Sequence, residues 1–346
     1  MKALKYLLVF TIPITVAISF TFSGWITFLP LIYVFGIVPI SDLFIAMDAN
    51  NFDKEQEEIE KNNKLYSYIL YLTLPTQVAF FIWFLFVIQA PETSTLDLIG
   101  RISAMGIMCG VIGINVGHEL GHRQSRFEQL LGEILLLTSL ETHFLPYHNG
   151  GHHFKVATTE DAATARKNEP LYIFWVRSQF MSYIDAWKLE NKRLQTSERS
   201  WFHVQNRMVV YTILHIFLLV SIYFFFGLTV LFYFLSAAIM GILLLETVNY
   251  IEHYGLLRQK NKFGRYERVK HTHSWNSNHI VGKLVLFNLS RHSDHHYNGS
   301  KHYQILKSLP ESPQMPTGYP GMMLLSLIPP LWFKLMNKKL QEIQST

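Results

Sequence analysis

The chain alternates long apolar runs with shorter polar connections. Residues 3–22 are apolar after Lys2 and Lys5, and 26–46 follow, separated only by Ser23, Gly24 and Trp25. Residues 66–90 and 98–117 form a third and a fourth run, and 208–227 and 229–250 a fifth and a sixth that are nearly continuous. Each run is close to the roughly 20 residues that a helix needs to cross a hydrocarbon core, a solvent in which the backbone must satisfy its own hydrogen bonds. The pattern predicts an all-α integral membrane protein with six transmembrane helices. Two shorter runs, 130–146 and 321–336, read as re-entrant or interfacial segments. The first run could pass for a cleaved signal peptide. A second run follows at once with no A-x-A cleavage site, so a helical hairpin is the better reading.

Basic residues orient this bundle. The connections at 23–25, 91–97 and 227–228 contain no Lys or Arg, whereas the N-terminus carries Lys2 and Lys5 and the segment 118–207 is basic from Arg123 to Arg207. The positive-inside rule then places the N-terminus and 118–207 in the cytoplasm of a multi-pass protein of the inner (plasma) membrane. With six spans, parity brings the ends of spans four and six, residues 117 and 250, to the same cytoplasmic face. The expected layout is a single membrane domain over 1–346. In it 1–117 holds spans one to four, 118–207 a cytoplasmic histidine-bearing region, 208–250 spans five and six, and 251–346 a second such region with the C-terminal tail.

Composition sharpens the picture. Hydrophobic residues make up 49% of the chain and charged residues only 16%, against about 25% charged in soluble domains. The net charge of +5 is accounted for by topology and gives no reason to invoke nucleic acid. The lone cysteine, Cys109, excludes a Cys-ligated iron–sulfur cluster, a Cys-based zinc ribbon and an intrachain disulfide. The unusual count is histidine, with 16 residues, and most of them fall in short clusters.

Those clusters carry the chemistry. They are His118-Glu119-Leu120-Gly121-His122, His148-Asn149-Gly150-Gly151-His152-His153, Asn249-Tyr250-Ile251-Glu252-His253-Tyr254-Gly255-Leu256 and Arg291-His292-Ser293-Asp294-His295-His296. Residues three or four apart share a helix face, so each cluster with several histidines can aim two or three imidazoles at one point, and His253 adds a ninth. Nine desolvated imidazoles close together would be costly without a metal or a proton to organise them. They are too many for one ion and suit two ions of five- or six-coordinate type. Imidazole suits iron, copper, zinc and nickel, so composition and spacing lead to a His-rich dinuclear site at a membrane face and leave the metal open. His203, His215 and His302 read as amphipathic surface groups. His143, His271, His273 and His279 read either as outer partners of the site or as surface. The string at 118–122 also matches H-E-x-x-H, the zinc metalloprotease signature with Glu119 as general base, but that reading leaves the other three clusters unexplained.

At these motifs the chain resembles the membrane-bound alkane monooxygenases of the histidine-rich di-iron fatty acid desaturase and hydroxylase superfamily. HELGH at 118–122 and HNGGHH at 148–153 resemble the first two boxes, with Gly150 where arginine is common. NYIEHYGL at 249–256 is similar to the family's own signature, and RHSDHH at 291–296 to its last box. HSWNSN at 273–278 and TEDAATAR at 159–166 also resemble family strings, the latter with alanine where proline is frequent. The likeness runs from about residue 35 to about 305. It implies that His118, His122, His148, His152, His153, His253, His292, His295 and His296 bind two non-haem iron ions. Glu119, Glu252 and Asp294, with Glu141 as a weaker candidate, would accept from ring N–H groups and fix each tautomer.

The resemblance further implies hydroxylation of the terminal carbon of an n-alkane to a primary alcohol by O2, with the second oxygen atom leaving as water. Two electrons would come from a separate rubredoxin fed by an NAD(P)H-dependent rubredoxin reductase, since no rubredoxin-type Cys pairs occur in this chain. The basic segment 155–207 could steer an acidic donor, although positive-inside retention explains it equally well. Attack on xylene-type methyl groups by a related enzyme is the alternative within the same superfamily. An intramembrane zinc protease and a metal transporter are the alternatives outside it.

Overall fold

The computed structural model describes residues 2–90 and 93–344. Met1, Ser345 and Thr346 of the expected domain, and Pro91 and Glu92 of the expected Lys- and Arg-free connection 91–97, lie outside the described residues. Secondary structure among the described residues is helical, apart from two isolated β-bridges. Five helices are long and apolar enough to cross a membrane: α1 (Ala3–Thr21), α2 (Gly24–Phe44), α4 (Leu65–Val87), α5 (Thr95–Gly121) and α9 (Arg207–His253). They fall on the runs read from sequence, with one difference. The fifth and sixth runs are the two helical halves of α9, which meet at a kink where Gly227 takes non-helical angles of φ 83° and ψ 172°. The fourth run does not stop at 117, because α5 continues to Gly121 and carries the first histidine motif on its last turn.

The shorter helices are α3 (Lys54–Asn62), α6 (Arg126–Leu137), α7 (144–155), α8 (Leu171–Gln195), α10 (Ile280–Val285), α11 (His292–Tyr297), α12 (Tyr319–Ser326) and α13 (Pro329–Gln344). The run at 130–146 is thus split between α6 and α7, and that at 321–336 between α12 and α13, and none of the four is long enough to span. Inside the segment read as 118–207, α8 turns Tyr172, Ile173, Val176, Phe180 and Ile184 outward at helical spacing.

The chain folds as two compact units that interleave along the sequence. The first comprises Met1–Ile37, Lys64–Pro146 and Ala186–Leu245, and the second Val38–Asn63, Tyr147–Asp185 and Glu246–Thr346. In the first unit the hairpin turn between α1 and α2 is tied to the start of α5: the N–H of Gly24 donates to Asp97 Oδ1 at 2.5 Å, while the N–H of Asp97 donates to the capping hydroxyl of Ser94 at 3.1 Å. The α5–α6 contact is made backbone to backbone. A methyl group on Gly132 would sit 2.8 Å from the carbonyl oxygen of Gly117 and 3.2 Å from the nitrogen of Gly121. Ile114, Leu136, Phe144 and Leu145 pack beside this contact, against Ile242 and Leu245 of α9. The last turn of α5 is therefore seated on α6 by an approach that only glycine allows.

The second unit is organised by aromatic side chains of the 249–256 motif. Tyr250 and Tyr254 both stack near Trp332, with ring centroids 5.3 Å away in each case. The Tyr250 hydroxyl donates to the carbonyl of Glu169 at 2.6 Å, and that of Tyr254 to Asn337 at 3.0 Å. The N–H of Gly255, in the left-handed region at φ 71°, donates to the carbonyl of Ala165 at 2.9 Å. These bonds fasten the loop 161–169 to the end of α9. Arg177 on α8 closes the loop from its other side, pairing with both carboxylate oxygens of Glu169 and donating to the carbonyls of Ala162 and Thr164.

Candidate metal centre

The motif on α5 behaves as its spacing predicts. His118 and His122 lie one turn apart at the helix end, and their Nε2 atoms are 3.0 Å apart with the rings nearly perpendicular. Glu119 between them is in a buried ion pair with Arg123 at 2.8 Å. A carboxylate held by a guanidinium is a poor general base, which removes the chemical basis of a zinc-protease reading.

The second motif does not follow α-helical spacing. Residues His148–His152 form a π-helical turn, so the residue that comes round beneath His148 is His153, five along. Their Nε2 atoms are 3.0 Å apart. His152 turns elsewhere, towards His253 and His296, with ring centroids 4.8 and 4.7 Å away. α11 divides in the same way. His292 and His296, four apart, bring their Nε2 atoms to 2.9 Å, and His295 stacks against His148 and approaches His153 instead. The expectation that each cluster aims at one point therefore holds for 118–122 and gives way at 148–153 and 291–296, where one cluster serves two sets.

One set lies wholly within the second unit: His152, His253, His292 and His296 are all buried and offer ligand nitrogens within 4.8 Å of one another. Nε2 of His292 is its hub, 3.1 Å from Nε2 of His253, 2.9 Å from Nε2 of His296 and 3.1 Å from Oε2 of Glu252. Two ligands at right angles on an ion, each at about 2.1 Å, lie about 3.0 Å apart, so these spacings suit a metal ion. Protons suit them less well, because a neutral imidazole has a single N–H to share. The second unit also brings together His148, His153 and His295, whose ligand atoms meet the same 4.8 Å limit.

Asp161 is the functional residue that the histidine motifs did not reveal. Its Oδ2 accepts from Nδ1 of His152 at 2.9 Å and from the Thr164 hydroxyl at 2.7 Å, and its Oδ1 accepts from the Tyr147 hydroxyl at 2.7 Å. Burial alone would raise its pKa, but His152 and the two hydroxyls outweigh burial and hold it at about 2. An ionised Asp161 fixes the His152 proton on Nδ1 and leaves Nε2, which has no hydrogen-bond partner among the described residues, as a lone pair facing the set. The signal lay in the string TEDAATAR, whose one aspartate is this residue.

The other carboxylates have mixed placements. Glu252 accepts from the Tyr319 hydroxyl at 2.8 Å through Oε1 and turns Oε2 to the ligating side of His292. Asp294 accepts from Lys301 at 2.6 Å and from the N–H of Lys307 at 2.7 Å. Glu141 is buried 3.3 Å from His143. His215, read as a surface group, is half-buried and shares a hydrogen bond with Thr142 at 3.0 Å. The string 273–278 acts as a clamp: Asn276 Oδ1 accepts from the N–H of Ser293, Ser293 donates to the carbonyl of Ser274, and the N–H of Trp275 donates to the carbonyl of Glu252. It thereby locks α11 to the end of α9. Burial and the neighbouring imidazoles hold His295 and His296 well below the usual histidine pKa, in the neutral state that a metal requires.

An all-helical membrane protein whose interior imidazoles converge in this way is built to hold metal through nitrogen. The sequence comparisons narrow the class. The fatty acid desaturase family matches residues 96–325, a stretch that contains all nine histidines. The chain is 40% identical to alkane 1-monooxygenase 1 of Pseudomonas aeruginosa over 94% of its own length and 88% of that protein's. It is 38% identical to the alkane 1-monooxygenase of Pseudomonas putida over 90% and 78% of the two lengths. Similarity to the xylene/toluene monooxygenase hydroxylase component of Pseudomonas putida is lower, 26% over 78% and 72%. The chain belongs to the fatty acid desaturase family and is an oxidoreductase of the monooxygenase type.

Proposed function

We propose that the protein is a non-haem di-iron monooxygenase that hydroxylates the terminal carbon of n-alkanes to primary alcohols with O2 and two electrons from a separate rubredoxin, itself reduced by an NAD(P)H-dependent rubredoxin reductase. One iron is assigned to His152, His253, His292 and His296, and His118, His122, His148, His153 and His295 are the remaining candidate iron ligands. The buried four-imidazole set is the observation that carries this reading. The greater similarity to alkane than to xylene/toluene enzymes supports the alkane substrate. We place the protein in the inner membrane with six spans, counting α9 as two around Gly227, and with its N-terminus and metal centre at the cytoplasmic face.

The two irons, when bound, supply the activation of O2 and the cleavage of the C–H bond. The protein's own residues orient and insulate. Asp161 keeps a proton on Nδ1 of His152 and so aims Nε2 into the set. Tyr319 turns Glu252 towards His292. The clamp through Asn276 and Ser293 fixes α11, so that His292 and His296 keep one alignment. An alkane offers no polar handle, so selection of its terminal carbon falls to the shape of the apolar interior.

Metal analysis of the purified protein, combined with turnover of octane and of xylene with added rubredoxin and reductase, tests the reading. Two irons per chain and 1-octanol as product are expected. A single zinc without iron, or methyl oxidation of xylene in preference to octane, would overturn it.

A further inference from the structure

The outer face of α8 is apolar and its inner face is not. The stripe from Tyr172 to Ile184 points outward, with Val176 61% and Phe180 69% exposed, while Ser178 and Ser182 are buried. Arg177 turns back to pair with Glu169. A surface helix in water shows the opposite arrangement, with its apolar stripe facing the core. α8 is not one of the helices apolar enough to cross a membrane, so its outer face is suited to lying along a surface rather than passing through one.

A second apolar stripe adjoins the first. Leu327, Ile328 and Leu331, at the corner between α12 and α13, are exposed, and the Tyr172 hydroxyl donates to the carbonyl of Leu327 at 2.7 Å. Both stripes belong to the second unit, and none of their residues is a candidate iron ligand. Contiguous exposed apolar surface of this kind marks contact with a partner or a membrane.

The end of α9 sets the level of this face. Trp175 of α8 donates to the Thr247 hydroxyl at 3.0 Å, and Phe174 lies against Tyr250 with ring centroids 5.3 Å apart. Trp332 of α13 packs on the same Tyr250. Thr247 and Tyr250 lie in the last two turns of α9, where that spanning helix leaves the hydrocarbon. In both stripes the next exposed positions are basic, Lys188 and Lys192 on α8 and Lys334 and Lys338 on α13. An apolar face that gives way to lysines one turn apart is the pattern of a helix lying in the plane of the membrane surface. The lysines favour an anionic lipid surface over a second copy of the chain, whose matching face is equally basic.

We propose that α8 and the α12–α13 corner form an in-plane membrane anchor, with their apolar faces sunk into the acyl boundary of one leaflet and their lysines at its anionic phosphates. On the orientation proposed above this is the cytoplasmic leaflet, and the first half of α8 then departs from the expectation that 118–207 lies in the cytoplasm. The anchor holds the end of α9 that carries His253 against the lipid in which an apolar substrate dissolves. It depends on no choice of metal or substrate, so it stands or falls separately from the proposed reaction.

The test places a nitroxide at one position at a time in the full-length protein, held in bilayer discs of phosphatidylcholine and phosphatidylglycerol. The one cysteine, Cys109, is buried, and Cys109→Ala gives a background in which Phe180→Cys, Leu331→Cys or Phe263→Cys carries the label. Phe263 is a control, an exposed apolar residue outside the two stripes. All three positions are exposed, so the labels should leave the thermal midpoint of the background unchanged; Ile173→Cys replaces Phe180→Cys if that variant does not fold. Dissolved O2, which concentrates in lipid, should relax the labels at 180 and 331 more strongly than a water-soluble nickel chelate does, and the order should reverse at 263. Stronger relaxation by nickel at either stripe overturns the anchor. So does dipolar broadening between labels on two copies in one disc with O2 access no greater than at 263, which would assign the face to self-association.

Discussion

The end of α5 and the turn at 148–153 carry histidine motifs that look alike in sequence and are built differently. Each has a pair of histidines four apart and a glycine-containing interior. On α5 a π-helical stretch at Cys109–Ile114 ends before the motif, Asn115–Gly121 is regular α-helix, and the pair points the same way. At 148–153 the backbone widens into a π-turn, the i,i+5 pair takes over, and His152 is released to a different set. Spacing thus fixes what a histidine pair does only while the helix keeps 3.6 residues per turn. π-turns occur mostly at functional sites, and here the wider turn lets three histidines of one short segment serve two groups of ligands.

The largest test of this division is removal of a histidine from the self-contained set. His253→Ala should lower bound iron from about two per chain to about one, because the remaining ligands of that ion lose their closure. Turnover should fall by more than the roughly 100-fold upper range seen when only an outer partner of a ligand is changed. Iron analysis and alkane turnover on the same preparation check both. Retention of two tightly bound irons would break the assignment of His253 to a set distinct from that of His148.

Asp161→Asn sharpens the comparison, because Asp161 bonds to His152 within the 148–153 histidine motif. The amide keeps the shape but no longer enforces the Nδ1 proton. A loss of about 10- to 100-fold in metal affinity or activity is expected, confined to the ion held by His152. Competition with a chelator, followed spectroscopically, should show one ion leaving faster and the other unchanged.

The difference between the two motifs also marks what the sequence made legible. The apolar runs located the spans because hydrocarbon imposes length and apolarity directly on the chain. The histidine types survived into the site because metal binding imposes residue identity. The partition of His148, His152 and His153 was hidden, since nothing in H-N-G-G-H-H distinguishes a π-turn from an α-turn before the surroundings are known. Asp161 was hidden for a related reason. It reaches His152 only because Tyr250, Gly255 and Arg177 fasten the loop 161–169 in place, and those are tertiary contacts. The break at Gly227 was half legible: a glycine between apolar runs was visible, but its φ of 83°, which kinks the chain there, was not.

A smaller effect is expected from the packing beneath the α5 motif. Gly132→Ala would place a methyl group 2.8 Å from the Gly117 carbonyl, a backbone atom that cannot swing aside. Overpacking of this kind costs about 1–3 kcal/mol, so the thermal midpoint in detergent should drop. If α5 shifts to relieve the clash, His118 and His122 move with it, and iron content should fall alongside stability. A drop in stability with iron fully retained would show that the α5 motif tolerates displacement better than the 148–153 turn.

The smallest effect is a pH dependence carried by His143, which stands between the two motifs. Burial, with a further contribution from the neighbouring His215, pushes the His143 imidazole down to about 3 from an ordinary 6.5. The folded protein therefore keeps His143 neutral where the unfolded chain would already hold a proton. Stability from this residue is fully present above about pH 6.5 and declines as pH falls from there towards 3, by up to about 1.4 kcal/mol per pH unit. His143→Gln removes the titration while keeping a polar side chain of similar reach. Thermal midpoints in detergent between pH 7.5 and 5 should fall more steeply for wild type than for the variant, and the difference between the two curves cancels whatever His295 and His296 contribute to both. A wild-type curve that falls less steeply than the variant's would mean instead that His143 is protonated in the fold, as a buried ion pair with the Glu141 carboxylate 3.3 Å away, and parallel curves would mean that its pKa is the same in the folded and unfolded chain; either result overturns the prediction.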